Sequence, residues 1–192
     1  MDSFLPSAAH HEAGHALMSY IVGWSIEYIE FRFDETVLTE AVTKYDVLGQ
    51  NKSSPFFVKR RLLCLLGGPV AQVIFEKRTK INIDELGPDG VLIDAMLSGM
   101  DSIQKERLIN DTINAVSIFL RLAASVAARD SIVKELLSAH RLLPEKFIAI
   151  VTDHQVARLP SETWGDSAIE HDSNYLQTVI AKLTALIRKL FF

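Results

Sequence analysis

His11-Glu12-Ala13-Gly14-His15 sets two imidazoles and a carboxylate in the order H-E-x-x-H. On an α-helix, positions four apart are rotated by about 400°, roughly 40° net, so His11 and His15 leave the same face one turn apart. Two imidazoles at that separation suit one tetrahedral zinc. Glu12, next to His11, can reach a zinc-bound water as its general base. The chemistry indicated is metal-assisted hydrolysis. With six His and twelve Glu among 192 residues, random order would produce about 0.01 such motifs per chain, so a helix with fortuitous histidines is the weaker explanation. His10 points about 100° away from His11 and reads as a solvated neighbour.

A catalytic zinc keeps three protein ligands and one open position, and the motif supplies two. No third His follows in the H-x-x-G-x-x-H manner, because His15 is followed by Ala16-Leu17-Met18-Ser19-Tyr20-Ile21. Distant carboxylates remain. Asp84, Glu85, Asp89 and Asp94 are candidates and His140, His154 and His171 outsiders, and spacing alone does not choose among them.

These groups need elements to carry them. Ser7 suits an N-cap, and Ala8 to Val22 favours a helix that Gly23-Trp24 ends. Ser25 to Phe33 and Val37 to Tyr45 are rich in β-branched and aromatic types and predict a small hairpin or meander turning around Asp34-Glu35. The first strand is either an edge along which an extended substrate would pair or an internal strand of the sheet. After a polar loop, Phe56 to Leu66 predicts a helix stopped by Gly67-Gly68, glycines that would equally allow close approach to the zinc helix. Pro69 to Lys77 is a second helix, Thr79 to Asp89 is irregular, and a further helix starts near Asp89 or Gly90, where Asp89 would also serve as N-cap. Ser102 to Ala128, Ser131 to Leu142 and Pro144 to Val151 are helical. Pro160 to Asp172 is a loop, and Tyr175 to Phe192 is an amphipathic helix. That last helix suits core docking or an oligomer contact, and its Lys182, Arg188 and Lys189 would also suit an anionic membrane surface.

Composition sets the frame. A length of 192 residues, 48% apolar and 23% charged, describes one globular domain rather than a disordered or fibrous chain. A formal charge of -4 gives no overall basic field for nucleic acid. The longest apolar run, Ile113 to Ala128, contains Asn114, Ser117 and Arg121 and reads as a buried helix rather than a membrane span. The N-terminus has no signal-peptide pattern, and the lone Cys64 sits among leucines as a buried thiol. The expectation is a soluble, cytoplasmic protein. No G-x-x-x-x-G-K-[ST] loop is present, so the chain has no evident ATPase of its own.

Ala9-His10-His11-Glu12-Ala13-Gly14-His15-Ala16-Leu17 resembles the HEAGHA signature of the FtsH-type zinc metalloproteases, the ATP-dependent AAA proteases of bacteria and organelles. Leu65-Leu66-Gly67-Gly68-Pro69-Val70-Ala71-Gln72-Val73-Ile74-Phe75 is similar to their LLGGRAAEELIF segment. The resemblance implies a mainly α, α+β, zincin-like peptidase fold over residues 1–155; residues 156–192 have no counterpart in the family and are expected, from their own pattern, to be a C-terminal loop and amphipathic helix packed on the same domain. The resemblance also selects Asp89 as the third zinc ligand, beside His11 and His15, with Glu12 catalytic. Pro69, Gln72-Val73 and the Leu86-Gly87-Pro88 lead-in depart from the family pattern. The family's ATPase module has no counterpart here. The resemblance thus implies a zinc endopeptidase acting on flexible or unfolded polypeptides. The alternatives are a non-cleaving metal-binding or interaction module, or a catalytic subunit that forms a homo-oligomer or docks on a separate ATPase.

Overall fold

The computed structural model describes residues 4–47, 54–82 and 85–159. Among them the elements run α1 (Phe4–Ile21), β1 (Ser25–Asp34), β2 (Val37–Asp46), α2 (Pro55–Phe75), α3 (Gly87–Met96), α4 (Ser102–Arg121), α5 (Ala123–Ala139), β3 (Arg141–Leu142) and α6 (Pro144–Asp153). The fold is mostly helical with a small antiparallel sheet near the N-terminus, an α+β class. One compact unit extends to Arg158. The expected loop and amphipathic helix over 160–192 lie outside the described residues. No described helix is long and apolar enough to cross a membrane.

Helix α1 is the centre of the unit. It packs chiefly on α2, and also on α5 and the hairpin, so apolar residues are buried on several of its sides: Ala9, Ala13, Ala16, Leu17, Met18 and Ile21. It begins earlier than expected. Pro6 fits the first turn, where no intrahelical N–H bond is lost, and Ser7, expected as N-cap, lies inside the helix with its hydroxyl donating to Glu76 at 2.6 Å. His10, expected in solvent, is buried and stacks on Phe75 at 4.1 Å, because α1 is covered on that side too.

The hairpin turns at Glu35, whose φ is 53°, and β3 adds to its far side, giving the order β2-β1-β3. Strand β1 is therefore internal where β3 pairs with it, at Ile29 and Glu30, and among the described residues β2 and the short β3 are the edge strands. A bulge between Ile26 and Tyr28 re-phases the alternation, so that Ile26 and Ile29, an odd number of positions apart, both face the core.

Helix α2 is continuous through Gly67-Gly68-Pro69, where two helices were expected. The glycines serve approach rather than termination. A Cβ on Gly14 would strike the Gly67 carbonyl, and one on Gly67 would lie 2.6 Å from the Gly14 carbonyl oxygen, so the two backbones touch directly. In the C-terminal half the break falls at Leu122, in an extended conformation with ψ 140°, and Ser131 lies within α5. Arg141–Leu142, expected as helix, forms β3.

Candidate metal centre

His11 and His15 project from α1 toward the point where α3 begins, and Asp89 lies in the first turn of α3. His11 Nε2 and His15 Nε2 are 3.0 Å apart, and Asp89 Oδ2 lies 3.1 Å from the first and 3.2 Å from the second. Ligands about 2.0–2.1 Å from a tetrahedral zinc are separated from one another by about 3.3–3.4 Å. The triangle is close to that size.

The outer ring nitrogens fix what the inner ones present. His15 Nδ1 is 2.7 Å from the Cys64 backbone carbonyl, which can only accept, so Nδ1 carries the proton. His11 Nδ1 is 3.1 Å from Gln72 Oε1, while Gln72 Nε2 donates to Glu76 at 2.9 Å, which settles the amide's orientation and again places the proton on Nδ1. Both Nε2 atoms then offer lone pairs to the same spot as a carboxylate oxygen. Three acceptors converge there with no donor among them, and such a set calls for a cation. A carbonyl or amide behind each imidazole is the usual outer support of metal-bound histidine.

In the absence of a metal a proton takes that role. Burial alone lowers the His15 pKa, but the Asp89 carboxylate at 3.2 Å, with help from Glu12 and the Cys64 carbonyl, raises it to about 9. Asp89 is correspondingly held well below the usual carboxylate range, its burial outweighed by the two imidazoles.

Glu12 stands beside the triangle, its carboxylate oxygen within 4.8 Å of the histidine nitrogens. It is buried, and the Thr43 hydroxyl on β2 lies 2.8 Å from its Oε2 and 3.0 Å from its backbone carbonyl. The four residues line a cleft of about 370 Å³ whose other walls are β2 from Ala41 to Tyr45, Arg61 and Leu65 of α2, and Pro88 and Leu92 at the start of α3.

The other candidates are elsewhere. Glu85 pairs with Arg78 at 2.8 Å and Asp94 with Lys105 at 2.5 Å, both carboxylates largely exposed. His140 ends α5 with φ 58° and packs on Phe33, and His154 meets Ser131 at 2.9 Å. Asp84 and His171 lie outside the described residues. As an N-cap Asp89 is displaced by Leu86, two positions before Pro88.

Sequence reasoning missed Thr43, Gln72 and the Cys64 carbonyl. Read as one continuous helix, α2 would have shown Arg61, Leu65, Gly68 and Gln72 along a single stripe, which is the stripe that faces the site. Thr43 carries no such signal. No protein-family model matches the chain, and a search of curated proteins returns no match.

Proposed function

We propose that the chain is a zinc-dependent endopeptidase, with His11, His15 and Asp89 as zinc ligands and Glu12 as general base. The observation that carries this reading is the convergence of two imidazole lone pairs and a carboxylate oxygen on one point, with a second, buried carboxylate, that of Glu12, beside it. Zinc bound there would supply a Lewis acid that makes water acidic near neutral pH and polarises the scissile carbonyl. Glu12 takes the proton from the attacking water and returns it to the leaving amine, with the Thr43 hydroxyl holding its carboxylate in place. Gln72 and the Cys64 carbonyl keep the two imidazoles in the required tautomer. Edge strand β2, which borders the cleft, would pair through the main-chain groups of its outer edge with a substrate strand. A peptide must be extended to pair in this way, so flexible or already unfolded segments are the substrates. The likeness of residues 9–17 to the FtsH-type signature points the same way. A reducing, cytoplasmic setting is compatible with Cys64, buried as a free thiol.

The test compares the zinc-loaded protein with Glu12→Gln on casein. Wild type should cleave, and the variant should lose at least about a thousandfold in rate while keeping its zinc. Equal cleavage by both forms, or none by wild type, would overturn the reading.

A further inference from the structure

The cleft wall carries a cation that the hydrolytic chemistry does not use. Arg61 lies one turn before Leu65 on the stripe of α2 that faces the site. It donates through Nη1 to the Tyr45 hydroxyl, and its guanidinium carbon is 5.0 Å from the centre of the Tyr45 ring. Tyr45 stacks on Trp24 at 5.2 Å, and Trp24, itself buried, leans on Phe57 at 5.6 Å. This column of rings holds the guanidinium in place before any ligand arrives, which lowers the ordering cost of a contact. A guanidinium has five N–H donors. Among the described residues Arg61 spends one on Tyr45 and meets no carboxylate. Lys44, the other long cation lining the cleft, is already paired with Glu27 at 2.7 Å.

Position along β2 specifies what would meet Arg61. Thr43 holds Glu12, and Tyr45 holds Arg61. The two are separated by two positions on one strand, hence share a face and stand about 7 Å apart. A polypeptide lying extended beside β2 advances two residues over that distance.

We propose that Arg61 is a specificity-determining residue that binds a carboxylate of the polypeptide, about two residues from the bond that Glu12 serves. The carboxylate is an Asp or Glu side chain or the chain's terminal carboxylate. The position relative to a cleaved bond rests on the peptidase reading, whereas the contact itself does not.

The experiment measures binding rather than turnover. Full-length, zinc-loaded Glu12→Gln protein is titrated with three matched peptides. One has an internal Glu and an amidated end, one has Gln in its place and an amidated end, and one has that Gln and a free terminal carboxylate. At least one carboxylate-bearing peptide should bind about tenfold more tightly or better than the doubly neutral one, and which one does so identifies the source. Adding Arg61→Met should abolish the preference, and Arg61→Lys should keep part of it. Equal affinity for all three peptides, no measurable binding of any, or a preference that survives in Arg61→Met would overturn the proposal. The peptide comparison needs no Arg61 variant, so a variant that fails to fold leaves the test intact. Cleavage of casein by wild type without a carboxylate preference would sink the Arg61 site alone. A preference in a protein that cleaves nothing would sink the peptidase reading alone.

Discussion

His15 is gripped at both ends, by the Cys64 carbonyl at Nδ1 and by Asp89 at Nε2. Removing the Asp89 charge while keeping its shape should therefore have two separable effects. In metal-free protein, Asp89→Asn should drop the His15 pKa well below about 9, as read by imidazole NMR titration. Zinc affinity should fall at least about a hundredfold in competition with a chromophoric chelator, whereas Glu12→Gln should stay within a few-fold of wild type. Unchanged affinity in Asp89→Asn would remove Asp89 from the ligand set. At this scale the sequence was most informative where chemistry lies within one helix. His11, Glu12 and His15 follow from a four-residue period, which is local geometry. Asp89 is 78 positions from His11, and its place is set by how α3 meets α1. Spacing left it level with Asp84, Glu85 and Asp94, and only the family likeness singled it out. Thr43 depends on the register of β2 against α1, which no local pattern encodes.

The contact between α1 and α2 has two parts with different expected consequences. Gly14 meets the Gly67 backbone and the Ala71 side chain, so a methyl there has nothing soft to displace. Gly14→Ala should destabilise the fold by about 3 kcal/mol or more, at the upper end of overpacking effects, as measured by denaturant unfolding. A Cβ on Gly68 would instead strike His15 Nε2 and lie 2.6 Å from His11 Nε2. Gly68→Ala should leave the fold largely intact and weaken zinc binding by at least about tenfold. Equal affinity in that variant would mean that the imidazoles relax freely. The same contact explains one sequence-level error. Gly-Gly-Pro is a strong local stop signal, and it was overridden because only glycine admits helix backbones this close. The break between α4 and α5 shows the opposite case. Nothing around Leu122 marks a helix end, since no Pro, Gly or Asn lies there, and packing of the two helices sets it. The hairpin was legible from its β-branched and aromatic runs, but which of its strands is the edge depended on β3, a two-residue strand too short to leave a pattern.

For the molecule as a whole, two buried histidines pull stability in opposite directions with pH. His10 is lowered from 6.5 to about 4, by burial and then by the nearby Arg129 charge. The unfolded chain therefore binds its proton first, and stability declines as pH falls from 6.5 toward 4. His15 is raised from 6.5 to about 9. Its contribution is complete below 6.5 and is lost as pH rises through 9. Metal-free protein should thus show its highest Tm near pH 6.5, and zinc should remove the decline on the alkaline side by replacing the proton. A metal-free Tm that keeps rising from pH 6.5 to 9 would contradict the His15–Asp89 pairing. The distance along the chain between His11 and Asp89 has a separate consequence. An ion held by both would close a covalent-like ring of 78 positions, and a cross-link of that span removes about 4 kcal/mol of denatured-state freedom in the chain-entropy model. In a chain with a single cysteine, the metal would then act as the staple that a disulfide provides elsewhere, and stripping it with EDTA should lower Tm by about 10 °C.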